Sequence, residues 1–290
     1  MSSAGIARVG DSAPAPEEGG ESENLQMPDG TWVIADGRSF RLCGPEIAGN
    51  PFLFQHLLDA GTPQHTRQLL GGALMAGLQS GRRNQPPVEA RAPSLERYIH
   101  SLAGAYVTTS ATPRTMRAVA ERFRSQGNTH LVEHCLGVAD EETGHDLLVV
   151  KDLEALGLRS AALVKEVQPA TAVALVDLFG RLAEGAAPVA VLGYAYALER
   201  SALSKTPDVV AAIEAIIPTG RMATRCLRVH SAAGTDAGHV AQSLEFIAGL
   251  DGTDRAHIAW AAFKTAETMS VPDGYPGDDV FREFIAAYRR

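Results

Sequence analysis

From Ser94 to the C-terminus, apolar residues recur at helical spacing, and Pro and Gly separate one helical segment from the next. Ser94 is a candidate N-cap for a helix over residues 95–107, and Thr112-Pro113 marks the predicted start of the next helix. No strand alternation of comparable length interrupts this series. The sequence therefore predicts an all-α helical bundle, because amphipathic helices must bury their apolar faces against one another. The later predicted helices cover residues 166–182, 188–203, 208–217, 219–250 and 254–268.

The N-terminal part of the chain differs in composition from this bundle, which we place at residues 86–290. Residues 1–24 are rich in Ser, Gly, Pro and Glu and nearly lack large apolar side chains, so burial cannot offset the entropy of ordering them, and we expect a disordered tail. Residues 25–85 are expected to form a small extension made of a β-hairpin and short helices. The hairpin joins residues 31–34 and 39–42 around the turn signal Asp36-Gly37, and the helices cover residues 52–58 and 66–78.

Two interpretations of the extension at residues 25–85 remain open. Pro45-Glu46 before an apolar run, and the Gly61-Thr62 turn, make it resemble the PqqD-like peptide-recognition modules. The alternative, which we favour, is a small cap packed on the bundle.

Composition excludes several classes of function. The net charge is −8, and no stripe of Lys or Arg is present to neutralise phosphates, so nucleic acid is not an expected partner. No apolar run approaches the roughly 20 residues that span a membrane. The start of the chain lacks the segments of a secretory signal, so a cytoplasmic location is expected. Three scattered cysteines are too few for a disulfide framework or a cysteine-based zinc site.

Residues 134–145 contain several side chains that can bind metal. They lie in one predicted helix that Asn128 or Thr129 can cap and that runs on to Leu156-Gly157. Glu142 and His145 are three positions apart and therefore project from neighbouring points of one helical face. Glu141 and His145 would also share a face, so the choice of carboxylate stays open. Glu-x-x-His pairs of this kind occur in helix bundles that hold paired iron or manganese ions.

Two further segments add to this inventory. Glu199 ends an almost wholly apolar segment, where an ionised carboxylate is costly unless it is paired or bound to a cation. Asp236 and His239 are again a carboxylate and a histidine three positions apart. Each of these residues alone has an ordinary interpretation as a solvated or hydrogen-bonded side chain. Together they provide what a carboxylate-bridged dimetal site requires.

The same residues carry a resemblance to a known family. The run Glu141-Glu142-Thr143-Gly144-His145, followed by Asp152-Leu153-Glu154-Ala155-Leu156-Gly157, resembles the "EE-x-GH … DL-x-ALG" run of heme-oxygenase-like proteins related to pyrroloquinoline quinone synthase C and the TENA/thiaminase II group. The segments that end at Glu199 and that run from His230 to His239 resemble the later motifs of the diiron oxidases and oxygenases of this superfamily. The resemblance extends from about Ser94 to the C-terminus.

This resemblance implies a heme-oxygenase-like helical bundle that binds two Fe(II) ions per chain and uses O2 to oxidise a small molecule. Reactions in this branch include N-oxygenation of amines, oxidative C–C cleavage of amino acids and decarboxylation of fatty acids. An electron donor and a homodimer are both compatible with it. The implied metal ligands are Glu142, His145, Glu199, His230, Asp236 and His239, with Glu141 ranked above Glu96 as an additional carboxylate. The candidate substrate-pocket residues are Tyr194, Tyr196 and His134.

The last motif departs from the family pattern. The family usually has His-x3-Asp-x2-His, whereas five residues separate His230 from Asp236 here. On an uninterrupted helix these two side chains would lie about 120° apart and could not share a site. A π-bulge or kink near Gly234 would restore the register. Without such a distortion His230 cannot be a ligand, and the site is incomplete or holds a single ion.

Three alternatives to a diiron enzyme remain. A metal-free enzyme of the same fold would be a quinone-synthase-like oxidase or a thiaminase-like hydrolase, and the hydrolase would need Cys135 or Cys226 as its nucleophile. A non-catalytic protein would bind a peptide or partner through residues 25–85. A heme oxygenase would need a proximal histidine near the start of the first bundle helix, where His100 is a weak candidate.

Overall fold

The computed structural model describes residues 23–46, 61–83, 85, 92–232, 234 and 236–290. Residues 1–22 of the predicted tail and the predicted helix at residues 52–58 lie outside the described residues. The predicted all-α body is confirmed. Its α-helices are α1 Pro63–Arg82, α2 Leu95–Ser125, α3 Thr129–Glu141, α4 His145–Ala155, α5 Ser160–Glu166, α6 Ala170–Glu184, α7 Val191–Ala202, α8 Pro207–Ile216, α9 Arg225–Val229, α10 Asp236–Ala248, α11 Gly252–Met269 and α12 Asp278–Ala286.

The first bundle helix is longer than predicted. Its N-cap is Ser94, as expected, whose hydroxyl accepts the Arg97 N–H at 3.2 Å. The helix then continues through Pro113 instead of ending before it. Proline removes one backbone hydrogen bond from a helix, and packing of α2 against α3, α4 and α6 offsets that loss.

The predicted hairpin is confirmed and belongs to a three-stranded antiparallel sheet. Strands β2 (Trp32–Ala35) and β3 (Phe40–Cys43) form the hairpin, and β1 (Glu23–Gln26) pairs with the other edge of β2. Strand β1 was not expected, because its four residues show no apolar alternation. Since Glu23 and Asn24 lie in this strand, the predicted tail is wrong for its last two residues.

The sheet and α1 pack on the bundle and share its hydrophobic core. Val33 of β2 lies in the same cluster of buried residues as Leu69 of α1 and Phe263 of α11, and α1 runs along α11. A second buried cluster surrounds Leu153 of α4 and Leu163 of α5. The N-terminal segment thus covers the bundle in the manner of a cap.

The elements that carry chemistry come from distant parts of the chain. The α3–α4 segment packs on α2, α7 packs on α10 and α11, and α9 packs on α4. None of the described helices combines the length and the hydrophobicity needed to cross a bilayer.

Candidate metal centre

Three side chains with metal-binding groups converge inside the bundle. One donor atom from each of Glu142, His145 and His230 lies within 4.8 Å of the other two. All three residues are half-buried. The set contains two imidazoles and one carboxylate, a donor composition that non-heme Fe(II) sites use.

The turn between α3 and α4 brings Glu142 and His145 together. The predicted single helix over residues 134–145 is wrong, because α3 ends at Glu141 and α4 begins at His145. Gly144 lies between them with φ of 93°, a left-handed conformation that favours glycine and stops an α-helix. His145 Nδ1 still lies 3.1 Å from Glu142 Oε2, in a hydrogen bond that orients the imidazole ring.

An interruption between two helices brings His230 to the same site. The predicted helix over residues 219–250 is wrong as a single element, since α9 ends at Val229 and α10 begins at Asp236. The distortion that the spacing requires near Gly234 is therefore present, as a full interruption. The ring centroid of His230 lies 4.8 Å from that of His145, and the two planes meet at 79°. A Cβ on residue 234 would lie 2.0 Å from the Val229 carbonyl oxygen, so only glycine fits this break.

The carboxyl of Glu142 is held in its ionised form. Burial acts to raise its pKa, but the hydrogen bond from His145 and the charges of His230, His145 and His239 outweigh burial. The pKa of Glu142 consequently lies below its usual value. A half-buried carboxylate that stays ionised beside imidazoles is suited to a divalent cation.

A second pair of candidate ligands lies close by. His239 Nε2 on α10 is 3.7 Å from Glu141 Oε2 at the end of α3. Because His239 also acts electrostatically on Glu142, this pair adjoins the first three residues. Asp236 begins α10, and its side chain is outside the described part of the structure.

A large cavity connects these residues to the interior. Its volume is about 1260 Å³, and its lining includes Glu142, His230 and Glu199. Glu199 comes from α7, so the α3–α4 turn, α7 and the end of α9 all contribute residues to the lining. A cavity of this size can hold a small organic molecule beside the candidate ligands.

Comparison with solved structures identifies the fold. A domain of unknown function with a heme oxygenase-like fold from Shewanella denitrificans OS217 superposes with a TM-score of 0.54 and 19% identity, covering 74% of this chain and 91% of that one. A TenA homolog from Pseudomonas syringae pv. tomato DC3000 gives a TM-score of 0.51 and 13% identity, with 74% and 96% covered. This chain has the heme-oxygenase-like fold. No protein-family model matches its sequence, and the comparison with curated proteins found no match.

Other predicted residues occupy different places in this heme-oxygenase-like bundle. Tyr194 lines the cavity, and no described residue is within hydrogen-bonding reach of its buried hydroxyl. Tyr196 is buried in the core and is absent from the cavity lining. His134 also lies outside the lining, with its ring stacked on Phe246 at 3.8 Å. Glu96, the lower-ranked carboxylate, is bonded to Arg282 on α12.

Several residues that line the cavity were not identified as candidate site residues from the sequence. Helix α2 contributes hydroxyls from Thr108, Thr109 and Thr112, together with Arg97 near its N-terminus. The threonines recur at helical spacing, a polar stripe that predicts a face directed at something other than an apolar core. His100 also lines the cavity, where its Nδ1 lies 3.7 Å from the Asp273 carboxylate.

Proposed function

We propose that this protein is a non-heme diiron enzyme that activates O2 to oxidise a small molecule, with an amine or an amino-acid-like compound as the favoured substrate. The observation that carries the proposal is the convergence of Glu142, His145 and His230 beside a large cavity that Glu142, His230 and Glu199 line. These four residues come from three separate regions of the sequence. The periodicity of a single helix therefore cannot account for the convergence of these residues.

The side chains fit iron in both number and chemistry. Imidazole nitrogens and carboxylate oxygens are the ligands of non-heme iron, and carboxylates can also bridge two ions. Glu142, His145 and His230 would hold one ion. Glu141 and His239, which are 3.7 Å apart, would serve the second ion together with Asp236 of the same helix. Glu199 would supply a further carboxylate from α7.

Bound iron would supply the reducing electrons and the oxidising capacity that O2 chemistry requires. The protein's own residues would fix the ligand geometry and bind the substrate. Apolar side chains such as Leu102, Leu175 and Leu198 line the cavity and exclude water from its walls. The hydroxyl of Tyr194, whose pKa burial raises, stays protonated and can donate a hydrogen bond to the substrate.

Charges of both signs in the cavity support an amino-acid-like substrate. Arg82, Arg97 and Lys205 line it, and so does the carboxylate of Asp273. The Arg97 guanidinium lies 3.8 Å from the Asp273 carboxylate. A zwitterion could add a partner of opposite sign to each member of this pair, whereas a purely apolar molecule would cover the charged groups without adding a partner.

Anaerobic reconstitution with Fe(II) tests the proposal. We expect about two irons per full-length chain, as in dimetal carboxylate bundles, and O2 consumption by the reduced protein. His145→Ala and Glu142→Ala should each lose at least one iron, whereas Glu96→Gln, a carboxylate away from the cavity, should keep both. A wild-type protein that binds no stoichiometric iron would contradict the proposal.

A metal-free hydrolase is the second candidate, and the position of Cys226 is the observation that favours it. Cys226 lines the cavity, whereas Cys135 is buried outside it and has a thiol pKa raised to about 12 by burial. Only Cys226 could therefore serve as a nucleophile toward a cavity ligand. Activity that survives chelation and is lost in Cys226→Ala would support the hydrolase, and activity lost on chelation would support the diiron enzyme.

A further inference from the structure

Helix α9 determines where His230 lies, yet it is only one and a half turns long. It covers Arg225–Val229, and His230 is the residue that ends it. Isolated helices shorter than about 12 residues are marginal in water, so α9 depends on contacts from other elements. Contacts that hold the backbone of α9 therefore also hold the His230 ring.

The N-terminus of α9 is capped from another helix. Asp152 on α4 is fully buried, and its Oδ1 and Oδ2 accept the backbone N–H groups of Arg225 at 3.1 Å and Cys226 at 2.9 Å. These are two of the N–H groups that a helix leaves without partners at its start. Thr224, at the usual capping position, makes no such bond and donates its hydroxyl to Glu214 at 2.8 Å.

Asp152 and His145 occupy the same side of α4. They are seven positions apart, which places them about 20° from each other around the helix and roughly 10 Å apart along it. The N-terminus of α9 contacts Asp152. At the other end of α9, the His230 ring lies 4.8 Å from the His145 ring. Helix α9 therefore runs antiparallel to α4, held at one end by Asp152 and meeting a candidate ligand at the other.

We propose that Asp152 is a positioning residue for the metal centre, because it anchors α9 to α4 and so sets the His230 imidazole opposite His145. The inference rests on the proposed metal site. In this arrangement one helix, α4, supplies both a ligand and the anchor of a second ligand. Asp152 is not one of the three converging candidate ligands and does not line the cavity.

Substitutions of Asp152 should act on metal affinity through His230. Asp152→Ala removes both acceptors of the α9 N–H groups. Asp152→Asn has nearly the same shape and keeps one acceptor oxygen, so it should still anchor α9 in part. Glu214→Gln is the matched control, since among the described residues the Glu214 carboxylate bonds the side chains of Thr224 and Arg228 and no backbone N–H group of α9.

Titration of the full-length protein with Co(II) provides the first measurement. We expect Asp152→Ala to weaken binding by about 10–100-fold, as outer-shell partners of metal ligands do, with a smaller loss in Asp152→Asn and less than about threefold in Glu214→Gln. His230→Ala should weaken binding similarly. Asp152→Ala should then add no further loss in the His230→Ala background, because residues acting through one contact are not additive. Wild-type affinity in Asp152→Ala, or losses that multiply, would overturn the proposal.

Histidine ring resonances of the metal-free protein provide a second measurement that does not need the metal. Asp152→Ala and Asp152→Asn should shift the His230 signals, whereas Glu214→Gln should not. If Asp152→Ala does not fold, Asp152→Asn decides the result. If wild type binds no Co(II), the proposed function fails separately, and unchanged His230 signals in the folded Asp152→Asn protein would overturn the role of Asp152.

Discussion

His134 is a histidine whose environment favours its neutral form. Its ring is stacked on Phe246 of α10 with centroids 3.8 Å apart and planes 8° apart. Burial, and to a smaller extent the nearby His130, lower the pKa of His134 to about 4. Protonation of His134 in the folded protein would place a positive charge at a partly desolvated position beside the Phe246 ring.

This lowered pKa predicts a pH-dependent stability. The unfolded chain takes up a proton on His134 near its ordinary pKa of 6.5, whereas the folded protein does so only near 4. The free energy of unfolding should therefore fall as pH falls from about 6.5 to about 4, by at most roughly 3 kcal/mol from this residue. Urea unfolding of the metal-free protein measures it, with His134→Gln as the comparison. The stability difference between the two proteins should change across this range, and parallel curves would contradict the assignment.

Residue spacing predicts which side chains pair, but that prediction is valid only within one helix and therefore depends on where the helix ends. Glu142 and His145 lie together as their three-residue spacing indicates, although a turn at Gly144 and not a helical face joins them. His134 would share their direction only if the helix continued to His145. The turn at Gly144 separates α3 from α4, so His134 and His145 lie on different helices, and His134 does not line the cavity.

Helix α7 must approach α11 very closely to place Glu199 in the cavity. A Cβ on residue 193 would lie 1.9 Å from the Ile258 carbonyl oxygen, so the two backbones meet at Gly193. No side chain larger than hydrogen fits there without separating the helices. The position of this crossing sets how far Glu199, less than two turns later, reaches into the cavity.

Gly193→Ala should therefore destabilise the protein and weaken metal binding. Forcing the helices apart is expected to cost about 1–3 kcal/mol or more, measured by urea unfolding. Gly180→Ala in α6 is the matched control, because a Cβ there would have no described atom within 4 Å. That change should raise stability by about 0.5–1 kcal/mol, since alanine favours the helix. Equal effects of the two substitutions would contradict the tight crossing.

The elements themselves are predicted from sequence with uneven success, for physical reasons. Long amphipathic helices such as α11 are found, because their apolar face repeats over many turns. The break between α9 and α10 is anticipated only through the misfit of His230 and Asp236 on one helix. Helix α5 and strand β1 are too short for a pattern to develop, and contacts with other elements stabilise them instead.

At the scale of the whole molecule, the sheet is joined to the bundle by a contact that local sequence cannot reveal. Glu23 of β1 and Arg255 of α11 form an ion pair in which both side chains are fully buried. The two residues are 232 positions apart, and neither lies in a motif. This ion pair and the shared core around Val33 and Leu69 indicate that the sheet and the bundle unfold together.

Substitution of the buried ion pair tests whether the sheet and the bundle unfold cooperatively. Glu23→Ala removes the carboxylate that pairs with the buried Arg255 guanidinium, which should cost about 3–5 kcal/mol, and Arg255→Ala should cost a similar amount. The double variant should lose less than the sum, because both substitutions remove the same ion pair. Arg83→Ala is the control: Arg83 is 62% exposed in its ion pair with Asp29, and such surface pairs contribute at most about 1 kcal/mol.

Unfolding should be followed in a Trp260→Phe background, because the chain has a second tryptophan, Trp260, on α11. The two signals are then the fluorescence of Trp32 in the sheet and the helical circular dichroism of the bundle. If the sheet is part of one cooperative unit, both transitions shift together in Glu23→Ala, because loss of the ion pair weakens the shared core as well. If residues 25–85 instead form an independent partner-binding module, Trp32 should report an early transition while the helical signal keeps its wild-type midpoint. The separation of the two midpoints therefore distinguishes an integral cap from a separate domain.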